Sequence, residues 1–299
     1  MKNMIGCVIS YFQLESLYSS YNYSPRNFTM SVNNIIRTIQ FIEENYHREI
    51  SIQEIERVSC YSYRNIQRIF KHTCNETIGE FKKRLKLENA YKLLLFNNEE
   101  IKNISNMVGF ETPSSFAKAF KQHFNITPSE ARDSKELIFE KNNIMISSQP
   151  VDIPFETVKI NSKDVYYSRV IAPYDSDEIE QLWKKFTKLL FPTDNTQYYG
   201  VIADETLITD DIKSRYDACS DKPAFNTSLP VKKIFGGKFV KFTHTGNYQT
   251  IEQTYKTIYS HWMLNSELEF SNNATIEHYN YVDEHNADNN ITDIYIPLK

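Results

Sequence analysis

Cysteine is nearly absent from this 299-residue chain: Cys7, Cys60, Cys74 and Cys219 form no Cys-x-x-Cys pair, and the seven histidines show no ligand spacing. A disulfide framework or a zinc site is therefore not expected, and a reducing cytoplasm fits. Glycine is also scarce, at seven residues, and none of them builds a Gly-rich phosphate loop. No serine or cysteine stands in a nucleophile motif. Long apolar runs are missing as well, since the longest candidate, Met4 to Leu14, contains Ser10 and Gln13 and is too short to span a bilayer. It has neither a basic start nor a small-residue cleavage site, so it is not read as a secretion signal.

A basic excess is the last absence. A net charge of −4 spread evenly would argue against nucleic acid, but the charge is segregated. Residues 31–135 hold 16 Lys/Arg against 13 Asp/Glu, residues 150–299 hold 15 against 22, and Tyr61 to Lys92 carries eight basic side chains and three acidic ones. The basic side chains thus lie in one region, where phosphate would attract them.

What is present is a repeat. Ile52, Ile55, Val58, Ile66, Arg68, Phe70, Lys71 and Thr77 recur as Ile101, Ile104, Met107, Phe116, Lys118, Phe120, Lys121 and Thr127, with one residue inserted at the turn. Each copy reads as a short helix, a tight turn and a second helix, the layout whose second helix enters a major groove. Two such units on one connecting helix can read successive major-groove faces about 34 Å apart. Capping boxes at Ser51/Glu54, Thr77/Glu80 and Thr127/Glu130, with Pro113 and Pro128 at first helical positions, punctuate the pattern. The spacing predicts helices over 33–46, 51–58, 62–73, 77–96, 99–108, 112–124 and 128–133.

Residues 1–30 read as a loosely docked extension, 31–135 as an all-α DNA-binding domain, and 136–152, with Asn142-Asn143, Ser147-Ser148 and Pro150, as a linker. Beyond 153 the period changes to two. Strands are expected over 158–160, 165–171, 198–203, 239–243, 275–282 and 291–296, with helices over 177–190 and 249–264. Strand, helix, strand, strand occurs twice, which implies a duplicated α+β module over 153–299 with its sheet backed by both helices.

Two stretches carry a family resemblance. Tyr61 to Lys71, the long helix after Thr77, and Val108 to Lys121 through Thr127-Pro128 look like the AraC/XylS transcription regulators, including the Gly-Phe turn and the Phe-x-x-x-Phe-Lys helix. Arg215 to Cys219, Gly236 to Phe239, His244 to Tyr248, the Trp262 helix, Ile276 to Tyr279 and Thr292 to Pro297 resemble GyrI-like, or SHS2, effector-binding domains. Rob-like regulators join the two in this order. The expected fold is therefore a tandem helix-turn-helix domain followed by a duplicated βαββ GyrI-like domain. Two departures stand out: Glu56 replaces a small residue usual in the family, and Cys60 replaces the turn glycine that Gly109 supplies in the second unit.

The resemblance implies double-stranded promoter DNA, RNA polymerase and a small-molecule effector as partners, no membrane partner, no cofactor, and cytoplasmic action at the nucleoid. Arg64, Gln67 and Arg68 fall on one exposed face of the first reading helix; Arg suits the paired acceptors of guanine and Gln suits adenine. Ser114, Ser115 and Lys118 are their shorter counterparts, and Lys71, Lys121, Lys82, Lys83 and Arg84 are expected at phosphate. In the second domain, Glu277, Tyr279 and Tyr281 share one face of a strand. Glu277 matches a ligand-facing acid of GyrI-like domains, with Trp262, Tyr279, Tyr167 and Phe239 as candidate walls for a cationic or aromatic ligand. For Tyr167 and Phe239, filling a helix-on-sheet core is the competing role. Some GyrI-like proteins are hydrolases, so Glu277 as a general base is the rival reading; a protein-binding second domain is a third.

Overall fold

Local chemistry sets three of the helix starts. Ser51, Thr77 and Thr127 accept from the amides of Glu54, Glu80 and Glu130 at 3.2 Å, and those carboxylates return to the capping amides at 2.9, 2.7 and 2.6 Å. Two orphan donors are satisfied at each start. The computed structural model describes residues 25–142, 153–174, 176–190, 195–224, 229–263, 265–282 and 286–299, except the side chains of 25–33 and 261. Residues 1–24 of the expected extension and 143–152 of the expected linker lie outside the described residues.

The first half is helical: α1 (Pro25–Asn45), α2 (Ile52–Ser59), α3 (Tyr63–Cys74), α4 (Ile78–Phe96), α5 (Ile101–Met107), α6 (Pro113–Phe124), α7 (Pro128–Asp133) and α8 (Glu136–Lys141). Helix α1 starts earlier than the periodicity predicts, at a proline suited to a first turn. Helix α8 occupies the start of the expected linker because Ile138 and Phe139 enter the core. Ile35, Ile39, Ile42, Ile55, Ile66 and Phe70 pack with Phe81 and Leu85 of α4 around the first unit. Leu87, Tyr91 and Leu94 of α4 pack with Ile104, Phe116 and Phe120 around the second. Helix α4 also faces the second half, and twelve of its 19 residues are buried. A helix buried along most of its length needs partners on more than one side, and here there are three.

The second half is one antiparallel sheet: β1 (Phe155–Ile160), β2 (Lys163–Ile171), β3 (Tyr198–Ile202), β4 (Arg215–Ser220), β5 (Val231–Ile234), β6 (Gly237–Thr245), β7 (Thr275–Tyr281) and β8 (Ile291–Pro297), in the order β1-β6-β8-β7-β3-β4-β2-β5. Helix α9 (Asp177–Leu189) follows β2, and α10 (Ile251–Thr257), continued as a π-helical turn over Ile258–Met263, follows β6. The order is symmetric about the β7–β3 pair: β6-α10-β7-β8 repeats β2-α9-β3-β4, and each half lends its first strand to the edge of the other. Strands β4 and β5 escape the period-two pattern. All six β4 residues are buried, so no alternation marks them, and β5 has only four residues.

The two halves share a core. The cluster around Tyr91, Phe116 and Phe120 is continuous with Ile179, Leu182, Phe186, Ile258 and Phe270 under the sheet. Phe270 donates its amide to the Phe96 carbonyl at 3.0 Å, and the two rings lie 5.8 Å apart. On the other face of the sheet, Val165, Tyr167, Tyr199, Val201, Cys219, Phe239 and Ile276 form a separate core, against which Ile36 of α1 packs.

Candidate functional site

The first reading helix, α3, buries Ile66, Phe70 and Thr73. Helical spacing then turns Arg64, Arg68 and Lys71 to solvent. Arg68 is steadied by Asn65 Oδ1 at 3.2 Å, while half-buried Gln67 donates to the Tyr63 hydroxyl at 2.7 Å. Ser62 makes no side-chain cap; Glu56 of α2 accepts from the Tyr63 amide at 2.7 Å instead. The residue that departs from the family thus serves as a cap supplied from the preceding helix.

The second reading helix, α6, buries Phe116 and Phe120 and exposes Ser114, Ser115, Lys118 and Lys121. Thr112 caps it by accepting from the Ser115 amide at 3.1 Å, and the Ser115 hydroxyl donates back to the Thr112 carbonyl at 2.8 Å. Both reading helices end on an asparagine in the left-handed region, Asn75 at φ 54° and Asn125 at φ 62°. Lys83 is exposed and Lys82 half-buried. Arg84 does not reach phosphate: it is 4% exposed and pairs with Glu76 at 2.6 Å and Glu88 at 3.1 Å. Its place in the basic run Lys82-Lys83-Arg84 concealed that it turns inward.

In the second half, Glu277 of β7 is fully buried at the centre of the sheet. Its Oε1 accepts from the hydroxyls of Tyr174 and, at 3.0 Å, Tyr255; its Oε2 accepts from Tyr279 at 2.6 Å and Tyr216 at 3.3 Å. Trp183 of α9 donates to the Tyr216 hydroxyl at 3.1 Å, and the Tyr248 ring stands 6.2 Å from Tyr279. Gly200 of β3 lets this cluster lie directly on the strand: a Cβ there would lie 2.3 Å from the Tyr216 hydroxyl and 2.8 Å from Glu277 Oε2. Burial pushes the Glu277 carboxyl above its ordinary value, outweighing the tyrosine hydroxyls that favour its anion. Burial, and then the carboxylate's charge, keep Tyr174, Tyr255 and Tyr279 protonated as donors. A buried carboxyl ringed by aromatic donors can hold a positive charge by ion pairing and cation–π contact.

The structure therefore brings Glu277 and Tyr279 together and leaves the other candidate walls elsewhere. Trp262 lies 4.9 Å from Phe242 and 5.0 Å from Phe155, ring to ring, in the aromatic cluster that includes Phe270. Tyr167 and Phe239 belong to the core on the opposite sheet face. Sequence reasoning did not find Tyr174, Trp183, Tyr216, Tyr248 or Tyr255, which reach the cage from separate elements. One signal was available: Gly200 is a lone glycine inside the run Tyr198 to Ala203, a mark of close approach over a strand. Among the described residues, no helix is long and apolar enough to cross a membrane.

The chain matches a helix-turn-helix domain over residues 56–134 and a GyrI-like small molecule binding domain over residues 154–299. It is 34% identical over 107 residues to the probable transcription factor PqrA of Proteus vulgaris, covering 35% of this chain and 88% of PqrA. It is 26% identical over 134 residues to the lactose operon transcription activator of Staphylococcus xylosus, covering 44% of this chain and 48% of the activator. A transcriptional regulator of known structure from Chromobacterium violaceum, with an AraC-type DNA-binding domain, is similar at 26% identity and a TM-score of 0.33, covering 34% of this chain and 91% of that one. On the match to PqrA and the two domain matches, the chain belongs to the AraC-type transcription regulators and carries a GyrI-like domain behind its paired helix-turn-helix units.

Proposed function

We propose that the GyrI-like half of this DNA-binding regulator receives a cationic, aromatic effector at Glu277, and that occupancy alters how α3 and α6 engage promoter DNA. The observation that carries this reading is the fully buried carboxyl with four tyrosine hydroxyls converging on it. Arg64, Gln67 and Arg68 read bases from the first helix, and Ser114, Ser115 and Lys118 from the second, with Lys71 and Lys121 at phosphate. The place of action is the nucleoid in the cytoplasm, with RNA polymerase as the neighbouring partner. The effector acts by preferring one arrangement of the two halves. A receptor role suits Glu277 better than general-base catalysis, because both its oxygens already accept from tyrosines.

The test uses tetraphenylphosphonium and tetraphenylborate, ions of one shape and opposite charge, in titration calorimetry. The phosphonium binds the wild-type chain; the borate does not. Glu277→Gln weakens phosphonium binding at least about tenfold, the effect of losing one charge-assisted contact of about 1.4 kcal/mol. Because burial holds the Glu277 carboxyl above its ordinary value, a cation binds with release of a proton. Affinity therefore rises with pH through that raised value in the wild type and stays flat in Glu277→Gln. Equal binding of both ions, or undiminished binding by Glu277→Gln, removes the cage from the function.

A further inference from the structure

Glu43, on helix α1 of the first reading unit, sits between two arginines of the sheet. Its Oε1 accepts from Nη1 of Arg169 on β2 and from Nη1 of Arg215 on β4. Both arginines have second commitments. Arg169 holds Asp217 through Nε and Nη2 at 2.6 and 2.9 Å, and Lys232 adds a third donor to Asp217 at 2.6 Å. Arg215 grips Asp204 through its amide and its Nε, both at 2.8 Å. The Arg215 guanidinium also lies 5.5 Å from the centre of the Phe81 ring on α4, and the Arg84 guanidinium lies 5.1 Å from the same ring. Arg215 and Asp217 are buried, at 4% and 0% exposure. Charges taken out of water are tolerated only while their partners stay in place, and displacing one partner is costly.

The sequence of β4 joins this network to the cage. Successive strand residues face opposite ways, so Tyr216 points at Glu277 while Arg215 and Asp217 point into the charged cluster. Tyr216 has little freedom of its own: it is 2% exposed, accepts from Trp183 and lies against Gly200. A cation that takes over Glu277 must displace tyrosine hydroxyls, and packed interiors answer such a displacement by moving as a unit.

We propose that Arg215 and Glu43 are positioning residues that carry the state of the tyrosine cage to the first reading unit. The cage is read through Tyr216 and reported on the other face of the same strand, where Arg215 releases or re-aims Glu43 and with it helix α1. The inference rests on the cage as effector site, and it adds a named route: the contact between Arg215 and Glu43 carries the signal to the first reading unit.

The experiment uses the full chain and a duplex that the wild type selects from a random-sequence pool. Duplex affinity is measured with and without saturating tetraphenylphosphonium. In the wild type the phosphonium changes duplex affinity at least about fivefold, the lower end of usual coupling between sites. Glu43→Gln binds the phosphonium within about twofold of wild type, yet its duplex affinity no longer responds. Glu43→Asp, which keeps the charge, regains part of the response. A folded Glu43→Gln that responds as the wild type does overturns the proposal. If the wild type binds no phosphonium, the cage reading fails on its own account, and the route is judged without ligand. Duplex affinities of Tyr216→Phe, Glu43→Gln and the double variant then deviate from additivity by about threefold or more; additive effects overturn the route. Should melting curves show Glu43→Gln unfolded, Arg215→Lys takes its place in the same cycle.

Discussion

The two helix-turn-helix units solve one backbone problem with different residues. Both turns need a left-handed residue after the first helix. The first unit uses Cys60 at φ 57°, exposed to solvent, and the second uses Gly109 at φ 81°. A side chain at Gly109 would place its Cβ 1.8 Å from the His47 carbonyl oxygen, and Lys86 of α4 donates to the Gly109 carbonyl. The second turn is wedged between the α1–α2 connection and α4, whereas the first stands open. Glycine is thus demanded by crowding more than by the dihedral angle. Where there is room, cysteine is tolerated at about 1 kcal/mol.

The largest effect expected from that contrast is on Gly109→Ala, which combines a left-handed penalty with a backbone collision. It should lose about 3 kcal/mol of folding stability in urea denaturation. A loss below about 1 kcal/mol would show that the crowding relaxes freely. Next come the reading faces, long side chains on α3 and short ones on α6. Arg68→Ala should weaken binding to a selected duplex by about 1–3 kcal/mol and relax preference at one base pair. Lys118→Ala should cost less and leave sequence preference intact, and equal effects in a gel-shift series would erase the distinction between the readers. Glu56→Ala removes the cap that only the first unit draws from its neighbouring helix, and should cost about 1 kcal/mol in the same denaturation assay. The smallest effect is Cys60→Gly, a gain of up to about 1 kcal/mol that a melting curve resolves.

Much of the helical half was legible because its determinants are local. Each capping box spans four residues, and Phe116 and Phe120 are one turn apart. Arg84 was not legible, because a basic run reads as solvated face until the partners Glu76 and Glu88 and the second half close over it. In the sheet, Glu277 and Tyr279 lie two residues apart on one strand and could be paired from the sequence alone. The rest of the cage could not. The chain has twenty tyrosines, and whether Tyr167 or Tyr216 faces Glu277 depends on the facing of two adjacent strands, one of which, β4, is too uniformly buried to announce itself. Register and facing are long-range facts, fixed by pairing across the sheet.

Enclosure of helix α4 on three sides has a consequence for the nucleic acid. A helix with twelve buried residues offers no joint along its own length between the two reading heads. Angular tolerance must then come from the duplex. One base pair inserted between the two segments turns the far segment by roughly 35° and advances it by about 3.4 Å, and the protein has no hinge at α4 with which to follow. Twist and bendability of the intervening base steps become part of what is recognised, although no side chain touches them.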